Sequence, residues 1–203
     1  MVVGGGSGGS SAARAAAIKG ENTLIIEKNN RPIKPECAEA LTCFLLDLVP
    51  LDIPKNLLKW NIDGMKLYAN GKYITRKGDL WRGLSYDREE INGGLTEKDI
   101  DAGSKIELET ELIDLKTDGE KNVEKVIAKK DNKKIEIIPK VLIAADGAKS
   151  KVAELLDNQK VKKYSYAHIT SYEMKNLNLE EPHLEQIFFG DFAPKGFAYI
   201  FPK

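Results

Sequence analysis

The sequence predicts an α/β protein, and three observations near the start of the chain carry this prediction. The first is a glycine-rich run, GGGSGG at residues 4–9, which directly follows a pair of valines. The second is SSAARAAAIK, a stretch of strong helix formers that ends at Gly20, a residue typical of a helix C-terminus. The third is the apolar, β-branched run TLIIEK at residues 23–28, which has the composition of a buried strand. Strand, turn, helix and strand in this order form the opening of a βαβ unit.

The middle of the chain alternates between helical and strand patterns. Residues 29–35, with two prolines, predict a polar loop, and residues 36–48 have the apolar spacing of a helix. Residues 65–74 predict a β-hairpin with an Asn-Gly pair as its two-residue turn. Residues 86–101 are mixed and charged, which predicts a helix that is broken at its Gly-Gly pair.

Strand patterns dominate the rest of the chain. Residues 105–115 and 122–130 predict two strands joined by an Asp-Gly turn. The run VLIAADG at residues 141–147 predicts a buried strand that stops at an acidic-glycine turn. Residues 150–156 have a helical pattern, and the remainder as far as Lys203 is strand-like and aromatic.

The composition indicates a globular protein, since 42% of the 203 residues are apolar and 31% are charged. No apolar run approaches the roughly 20 residues of a spanning helix, and no signal-peptide pattern is visible, which predicts a cytoplasmic protein. The formal net charge is +0, so no nucleic-acid partner is expected, and we interpret KVKK at residues 160–163 as a solvated loop or strand edge. Cys37 and Cys43 are interpreted as free thiols. His168 and His183 have no partner at metal-ligand spacing, so no metal site is predicted.

Three of the glycines, Gly4, Gly6 and Gly9, have the G-x-G-x-x-G spacing of a dinucleotide-binding turn. The first glycine of such a turn permits a tight bend, the second lets the backbone approach a pyrophosphate, and the third lets the helix pack close to the strand. Gly8 lies in the same turn, and the following helix presents N–H groups and the positive end of its dipole to the phosphates. Because a strand precedes the turn and a helix and a strand follow it, we predict a dinucleotide site rather than a glycine-rich turn without a ligand.

An acidic residue completes this pattern. Glu27, with Lys28 after it, lies at the end of the second strand, about 20 residues on, where a carboxylate hydrogen-bonds ribose hydroxyls. An acid at this position favours FAD or NAD over NADP, and the alternative is a surface acid at a strand end. Met1, Val2 and Val3 alone precede Gly4, whereas strands commonly run to about five residues. We therefore expect the first strand to begin upstream of the sequence given.

Later stretches match the motifs of one flavoprotein family. The stretch APKGFAYIFPK at residues 193–203 is similar to the pattern P-x-G-Y-x-W-x-F-P-K, with Phe197 and Tyr199 at its first two aromatic positions. The other matching stretches are VVGGGSGGSSAARAA at 2–16, RPIKPECAEAL at 31–41, YDREEINGGL at 86–95, ELIDL at 111–115 and IAADGAKSKV at 143–152. The chain therefore resembles the geranylgeranyl reductase family of flavoproteins, especially the archaeal digeranylgeranylglycerophospholipid reductases, over essentially its whole length.

The resemblance implies a Rossmann-like FAD-binding domain of the p-hydroxybenzoate-hydroxylase type and part of an antiparallel β-sheet substrate domain. We assign residues 1–157, with an inserted hairpin region, to an incomplete FAD-binding domain and residues 158–203 to the start of the substrate domain. The implied activity is saturation of C=C bonds of geranylgeranyl chains in archaeal membrane-lipid biosynthesis. An isoprenoid lipid substrate and peripheral membrane contact are therefore expected, while the electron donor stays open. The family continues past Lys203 to a Gly-Asp motif and a helical part, so we expect the chain to be an N-terminal fragment.

The same resemblance implies which further residues contact the cofactor and the lipid. The chain departs from the family pattern at Ser7, which replaces a usual proline, and at Ala40, which replaces a usual glycine. The expected FAD contacts are Cys37, Ala38, Ala40, Arg88, the backbone of Leu112, Asp146 and Gly147. The residues expected to line the lipid cavity are Phe197, Tyr199, Phe201 and Pro202.

Each of these assignments has an alternative. Cys37 would deliver a proton or contact the flavin, or it would be a small buried hydrophobe; Cys43 is predicted to be core. Arg88 would otherwise be a solvated helix charge, Asp146 a turn-forming acid, and the aromatic side chains core residues. For the function as a whole, the alternatives are a flavin-dependent monooxygenase or halogenase of the same fold, and an inactive truncated product.

Overall fold

The chain divides into two compact units that alternate along the sequence. Unit 1 comprises Met1–Lys34 and Asn92–His168, and unit 2 comprises Pro35–Ile91 and Ile169–Lys203. The computed structural model describes residues 1–30, 37–48, 55–118, 120, 122–157 and 169–203. The proline-containing loop, the basic run at 160–163 and His168 lie wholly or largely outside these residues.

The predicted domain division between residues 157 and 158 adjoins a stretch outside the described residues, and it stays a prediction. The compact units group the chain differently, because the hairpin region clusters with the last part of the chain.

The described elements are, in chain order, as follows. The helices are α1 (Ser7–Ile18), α2 (Cys43–Leu48), α3 (Arg88–Asp101) and α4 (Lys151–Asp157), with a short 3₁₀ turn at Lys55–Leu57. The strands are β1 (Val2–Val3), β2 (Leu24–Ile26), β3 (Ala40–Thr42), β4 (Leu58–Ile62), β5 (Gly64–Ala69), β6 (Lys72–Lys77), β7 (Gly83–Tyr86), β8 (Lys105–Glu107), β9 (Glu111–Thr117), β10 (Val123–Lys130), β11 (Lys133–Ile137), β12 (Ile143–Ala144), β13 (Leu184–Phe189) and β14 (Ala198–Ile200).

Unit 1 is built on a parallel sheet with the strand order β12-β1-β2-β8. The predicted strand, turn, helix and strand at the start of the chain are confirmed, and Gly20 ends the helix with φ +84° while its N–H donates to the carbonyl of Ala17 at 2.8 Å. A second, antiparallel sheet, β11-β10-β9, contributes to the same apolar core. The buried residues of this core are Val3, Ile26, Leu112, Val126, Ala128 and Val152.

The single strand predicted at residues 105–115 is wrong, because it is two strands in two different sheets. β8 pairs with β2 in the parallel sheet, whereas β9 pairs with β10 in the antiparallel sheet. Glu109 has a φ of +52° between them, which turns the chain out of the first sheet. The apolar alternation continues through the turn, so a periodic pattern alone does not show it.

Helix α3 runs without interruption through Gly93 and Gly94, so the predicted break is wrong. A glycine weakens a helix interior by about 1 kcal/mol but does not remove a backbone hydrogen bond, as a proline does. Ile91 and Leu95 are buried on either side of the pair, and this packing outweighs the propensity cost.

Unit 2 contains two sheets, β3-β7-β4 and β14-β13-β5-β6. The predicted hairpin is confirmed as β5 and β6, with Asn70 and Gly71 in the turn at φ +50° and +71°. In the second sheet β13 runs parallel to β5 and antiparallel to β14. None of the helices in the described parts of the chain is both long and apolar enough to cross a bilayer.

The helix predicted at residues 36–48 is confirmed only for its second half, α2. Residues Ala40–Thr42 instead form β3, which pairs with β7. Glu39, just before them, has a φ of +57°, a left-handed conformation that no α-helix continues through. Pairing with a distant strand therefore overrides the local helical pattern.

Candidate functional site

The predicted dinucleotide turn lies at the carboxyl end of β1, the strand at which the order of the parallel sheet reverses. From β1 the chain passes through α1 to β2 on one side, and β12 pairs with β1 on the other side. In open α/β sheets, ligands bind beyond the carboxyl ends of the strands at such a switch point. The residues that follow β1, β2 and β12 are Gly4, Glu27 and Ala145, so the sequence-predicted groups of unit 1 meet at this edge.

Gly4 and Gly9 are glycines because protein atoms occupy the space of a side chain. Gly4 has φ +101°, and a Cβ atom there would lie 2.4 Å from the carbonyl oxygen of Ala145. A Cβ atom at Gly9 would lie 1.9 Å from the carbonyl oxygen of Gly4 and 3.3 Å from the Val2 side chain. The predicted roles of the first and third glycines, the bend and the close packing of helix on strand, are thus confirmed.

Gly6 and Gly8 are different, since a Cβ atom at either position would meet no protein atom within 4 Å. Gly6 is the N-cap of α1 in an extended conformation that any residue adopts, and it contributes no capping side chain to the helix. The protein itself therefore has no packing reason for glycine here. An anion that must approach the backbone N–H groups at the start of α1 supplies such a reason, and the residues present fit a dinucleotide pyrophosphate.

Glu27 is buried and oriented by its own neighbours. Its Oε2 accepts the N–H of Gly5 at 2.8 Å, while its Oε1 accepts the backbone N–H of Asn29 at 3.0 Å and also the Asn29 side-chain amide. Among the described residues, Oε2 accepts only the Gly5 N–H and keeps a second lone pair, so the group still accepts a hydroxyl. Lys28, by contrast, is exposed, and its contact with a cofactor stays a prediction.

Asp146 caps the start of α4. Its Oδ1 accepts the Ser150 hydroxyl at 2.6 Å, and its Oδ2 accepts the N–H groups of Lys151 and Val152 at 2.6 and 3.1 Å. The carboxylate thus holds the loop after β12 in place, and Gly147 in that loop has φ +84°. Leu112 is a core residue on β9, which leaves its backbone for any cofactor contact. Direct contacts of these three residues with a cofactor stay predictions.

Unit 2 holds the remaining predicted cofactor residues, Cys37, Ala38, Ala40 and Arg88. Ala38 and Ala40 are half-buried, and Ala40 lies opposite Ser85 in the pairing of β3 with β7. Cys37 is also half-buried and free. Arg88 begins α3, and its Nη1 donates to the Tyr86 hydroxyl at 3.0 Å, so it is not simply a solvated helix charge.

A charged network that the sequence analysis missed surrounds these residues. Glu39 is 4% exposed, and its Oε1 accepts the Arg88 backbone N–H at 3.1 Å while its Oε2 accepts the Lys203 ammonium. The same ammonium donates to Glu173 at 2.9 Å. Burial lowers the pKa of Lys203, but its two carboxylate partners outweigh that effect, so the pKa is raised overall. Lys203 closes the FPK motif, and Glu39 follows Cys37 and Ala38. These positions within the matching stretches were the signal from which the sequence analysis could have found the two residues.

The aromatic residues of the last stretch form a row in unit 2. Ring centroids of Phe197 and Tyr199 lie 6.3 Å apart, those of Tyr199 and Phe201 4.8 Å apart, and Phe197 also contacts Phe189. The Tyr199 hydroxyl lies 2.7 Å from the Ser171 hydroxyl. Phe197 is 52% exposed, so this row is more than a buried core cluster. Pro202 is buried beside it.

An acid shares the sheet face of this row. Ile187 of β13 lies opposite Tyr199 of β14, and Glu185 lies two residues before Ile187 on the same strand. Side chains two apart on a strand point to the same face. Burial raises the pKa of Glu185 to about 7.

His183 has a structural environment. Its ring stacks on Trp60 with centroids 4.9 Å apart, and its Nδ1 lies 3.0 Å from the carbonyl oxygen of Asn61. Within the described residues, no group of three or more His, Cys, Asp or Glu side chains is arranged to hold a metal ion.

Comparison with known proteins gives a family and a fold. The family model described as "Glucose inhibited division protein A" matches residues 1–195. The digeranylgeranylglycerophospholipid reductase of Methanococcus aeolicus is 34% identical over 206 residues, which cover 100% of this chain and 52% of that protein. The chain thus spans about half the length of the curated relatives it matches.

Solved structures agree with this placement. The crystal structure of a geranylgeranyl bacteriochlorophyll reductase-like protein from Thermoplasma acidophilum superposes with a TM-score of 0.80 and 25% identity, covering 100% of this chain and 52% of that chain. The myxobacterial chondrochloren halogenase, with a TM-score of 0.53, 18% identity and coverage of 70% and 35%, shows the fold alone. The predicted resemblance and the predicted flavoprotein-type α/β fold are therefore confirmed.

Proposed function

Since the chain belongs to the glucose inhibited division protein A family, we propose that it binds FAD and forms part of a reductase. Its substrate in this proposal is the geranylgeranyl chain of an archaeal-type membrane lipid, whose C=C bonds it saturates. The names of the relatives that match the whole chain support this substrate class. Peripheral contact with a membrane follows from such a substrate, and the electron donor is left open.

One observation carries the cofactor part of the proposal: the two kinds of glycine in the turn after β1 and the first residues of α1. Packing requires glycine at positions 4 and 9. At Gly6 and Gly8, by contrast, no protein atom occupies the space that a side chain would take. In the proposed complex, the N–H groups around Gly6 and Gly8 bind the pyrophosphate, and Glu27 binds a ribose hydroxyl.

The chemistry divides between the cofactor and the protein. Reduced FAD, when bound, supplies a hydride for one carbon of the alkene. The chain must bind the apolar lipid, exclude water and place a proton donor at the other carbon. We assign lipid binding to the aromatic row of Phe197, Tyr199 and Phe201, and proton delivery to Sγ of Cys37.

FAD binding is tested by titrating the purified chain with FAD and following flavin fluorescence. Gly6→Val is expected to weaken binding at least about tenfold, because the new side chain fills the space of the pyrophosphate. The matched control is Ala15→Val, the same kind of added bulk at an exposed position of α1. Equal FAD affinity of the two variants would contradict the proposed site.

The reductase step is tested with dithionite as reductant and a digeranylgeranyl glycerophospholipid in detergent. A gain of hydrogen in the lipid, detected by mass spectrometry, supports the proposal. Oxygen uptake with a hydroxylated or halogenated product would support the monooxygenase or halogenase alternative. Failure to bind FAD would support the inactive alternative for this chain.

A further inference from the structure

The sulfur of Cys37 lies in a closely defined setting in unit 2. The backbone N–H of Glu39 donates to Sγ at 3.4 Å, and the hydroxyl oxygen of Tyr86 lies 3.8 Å from the same sulfur. Tyr86 is 2% exposed, so water does not compete for its hydroxyl. Among the described residues, no other group forms a hydrogen bond with this sulfur.

Arg88 determines which way the Tyr86 proton points. A guanidinium has donors and no acceptor, so Nη1 of Arg88 donates to the Tyr86 oxygen at 3.0 Å. The tyrosine O–H then points away from Arg88, and among the described residues Cys37 is the partner within reach. A hydroxyl is also a better donor than a thiol, which favours O–H donation to sulfur over the reverse.

The Tyr86 hydroxyl keeps its proton near neutral pH. Burial raises its pKa most strongly, the hydrogen bond from Arg88 lowers it by less, and the neighbouring Cys37 raises it again, so the pKa is raised overall. The hydroxyl therefore remains a hydrogen-bond donor over the pH range in which a thiol begins to ionise.

The backbone keeps these groups in register. The N–H of Tyr86 donates to the carbonyl of Glu39 at 2.9 Å, and the N–H of Arg88 donates to the Glu39 carboxylate at 3.1 Å. Tyr86 itself belongs to β7, which pairs on both sides, with β3 and β4. The segment that carries Cys37 is thus held by hydrogen bonds to a paired strand, the kind of rigid support that a precisely placed reactive group requires.

We propose that Tyr86 is a positioning residue for Cys37, donating its hydroxyl hydrogen bond to the sulfur, with Arg88 orienting that hydroxyl. For the reaction, this inference rests on the proposed function. When the S–H bond breaks and its proton forms the new C–H bond, the sulfur keeps the electron pair as a thiolate and later regains a proton from water. A hydrogen bond to the charged form favours that form, so Tyr86 stabilises the thiolate.

The test measures the alkylation rate of Cys37 by iodoacetamide in the flavin-free chain, with Cys43 as the internal reference in the same mass-spectrometric digest. Since the thiolate is the nucleophile, Tyr86→Phe is expected to slow alkylation of Cys37 about fivefold near neutral pH. The Cys37 alkylation rates of the original chain and of the Tyr86→Phe variant should converge at about pH 10, because thiols are ionised there without a stabilising hydrogen bond. Tyr172→Phe, at an 82% exposed position, is the matched control and should leave the rate unchanged.

The direction of the change in alkylation rate distinguishes the proposed hydrogen-bonding role of Tyr86 from a role in packing alone. Loosened packing exposes Cys37 and speeds its alkylation, so an unchanged or faster rate in a folded Tyr86→Phe variant would overturn the inference. If that variant fails to fold, Arg88→Gln replaces it, with a slower rate expected and an unchanged rate overturning the inference. The alkylation assay needs neither FAD nor lipid, so it tests this inference separately from the proposed function. If Tyr86→Phe slows alkylation but the chain reduces no lipid, the inference stands and the proposed function fails. If the chain reduces the lipid but alkylation is not slowed, the proposed function stands and the inference fails.

Discussion

The two units build their candidate sites from different parts of the chain. In unit 1 the site is mainly backbone: a glycine turn at the carboxyl edge of a parallel sheet, with the Glu27 carboxylate beside it. In unit 2 the site is a network of side chains, in which Glu39 and Lys203 pair although 164 residues separate them. The difference teaches that a backbone site is written in a short local motif, whereas a side-chain network is spread over the sequence.

The largest expected effect is a difference in the free energy of unfolding between alanine substitutions at two glycines of the unit 1 site. Gly9→Ala places a Cβ atom 1.9 Å from the Gly4 carbonyl oxygen and should lower the free energy of unfolding by about 3 kcal/mol. Gly6→Ala meets no protein atom within 4 Å and should change it by less than about 1 kcal/mol. Urea unfolding of the two variants measures both values. Equal losses would mean that packing does not distinguish these glycines.

The next effect concerns the side-chain network. Glu39→Gln keeps the shape but removes the charge that pairs with Lys203, and it should lower the free energy of unfolding by about 2 kcal/mol. This is less than for a fully buried pair, because the Lys203 side chain is 34% exposed. The surface pair of Lys151 and Glu154 is the control, and Glu154→Gln should cost less than about 0.5 kcal/mol. A Glu39 variant as stable as this control would show that the network contributes nothing.

The smallest effect has the opposite sign and lies in unit 1, where Asp99 is a buried acid near Ser10 and Arg14. Burial raises its pKa to about 6 from 3.8, and the Ser10 hydroxyl and the Arg14 guanidinium offset this only in part. The native state therefore holds a proton that the unfolded chain has lost between these pH values. The resulting stabilisation is present in full below pH 3.8 and is lost as the pH rises through 6.

Asp99→Asn should thus raise the free energy of unfolding near neutral pH by about 1 to 2 kcal/mol and flatten its dependence on pH. Urea unfolding at a series of pH values measures this. A variant that is destabilised at all pH values would show that the ionised carboxylate has a partner that asparagine does not replace. Unit 1 would then contain a side-chain network of its own, and the comparison between the units would fail.

Sequence and structure agree where a pattern is local. The βαβ opening, the Asn-Gly hairpin and the glycine turn each depend on residues close together in the chain, and each is confirmed. Sequence and structure disagree where one continuous pattern in the sequence is divided between different elements of the fold. Residues 105–115 are divided between two sheets, and residues 40–42 leave a helical pattern to pair with β7.

The sequence by itself determined the glycine pattern of the turn and the family, because glycines that a turn needs stand at set spacings in one short stretch and are visible there. Only the tertiary structure decided that Glu39 meets Lys203 and that Tyr86 and Arg88 lie at Cys37. The physical reason is that such contacts depend on strand pairing between distant segments, which no single segment encodes. A buried carboxylate at a left-handed residue, such as Glu39, becomes meaningful only once its partners are placed around it.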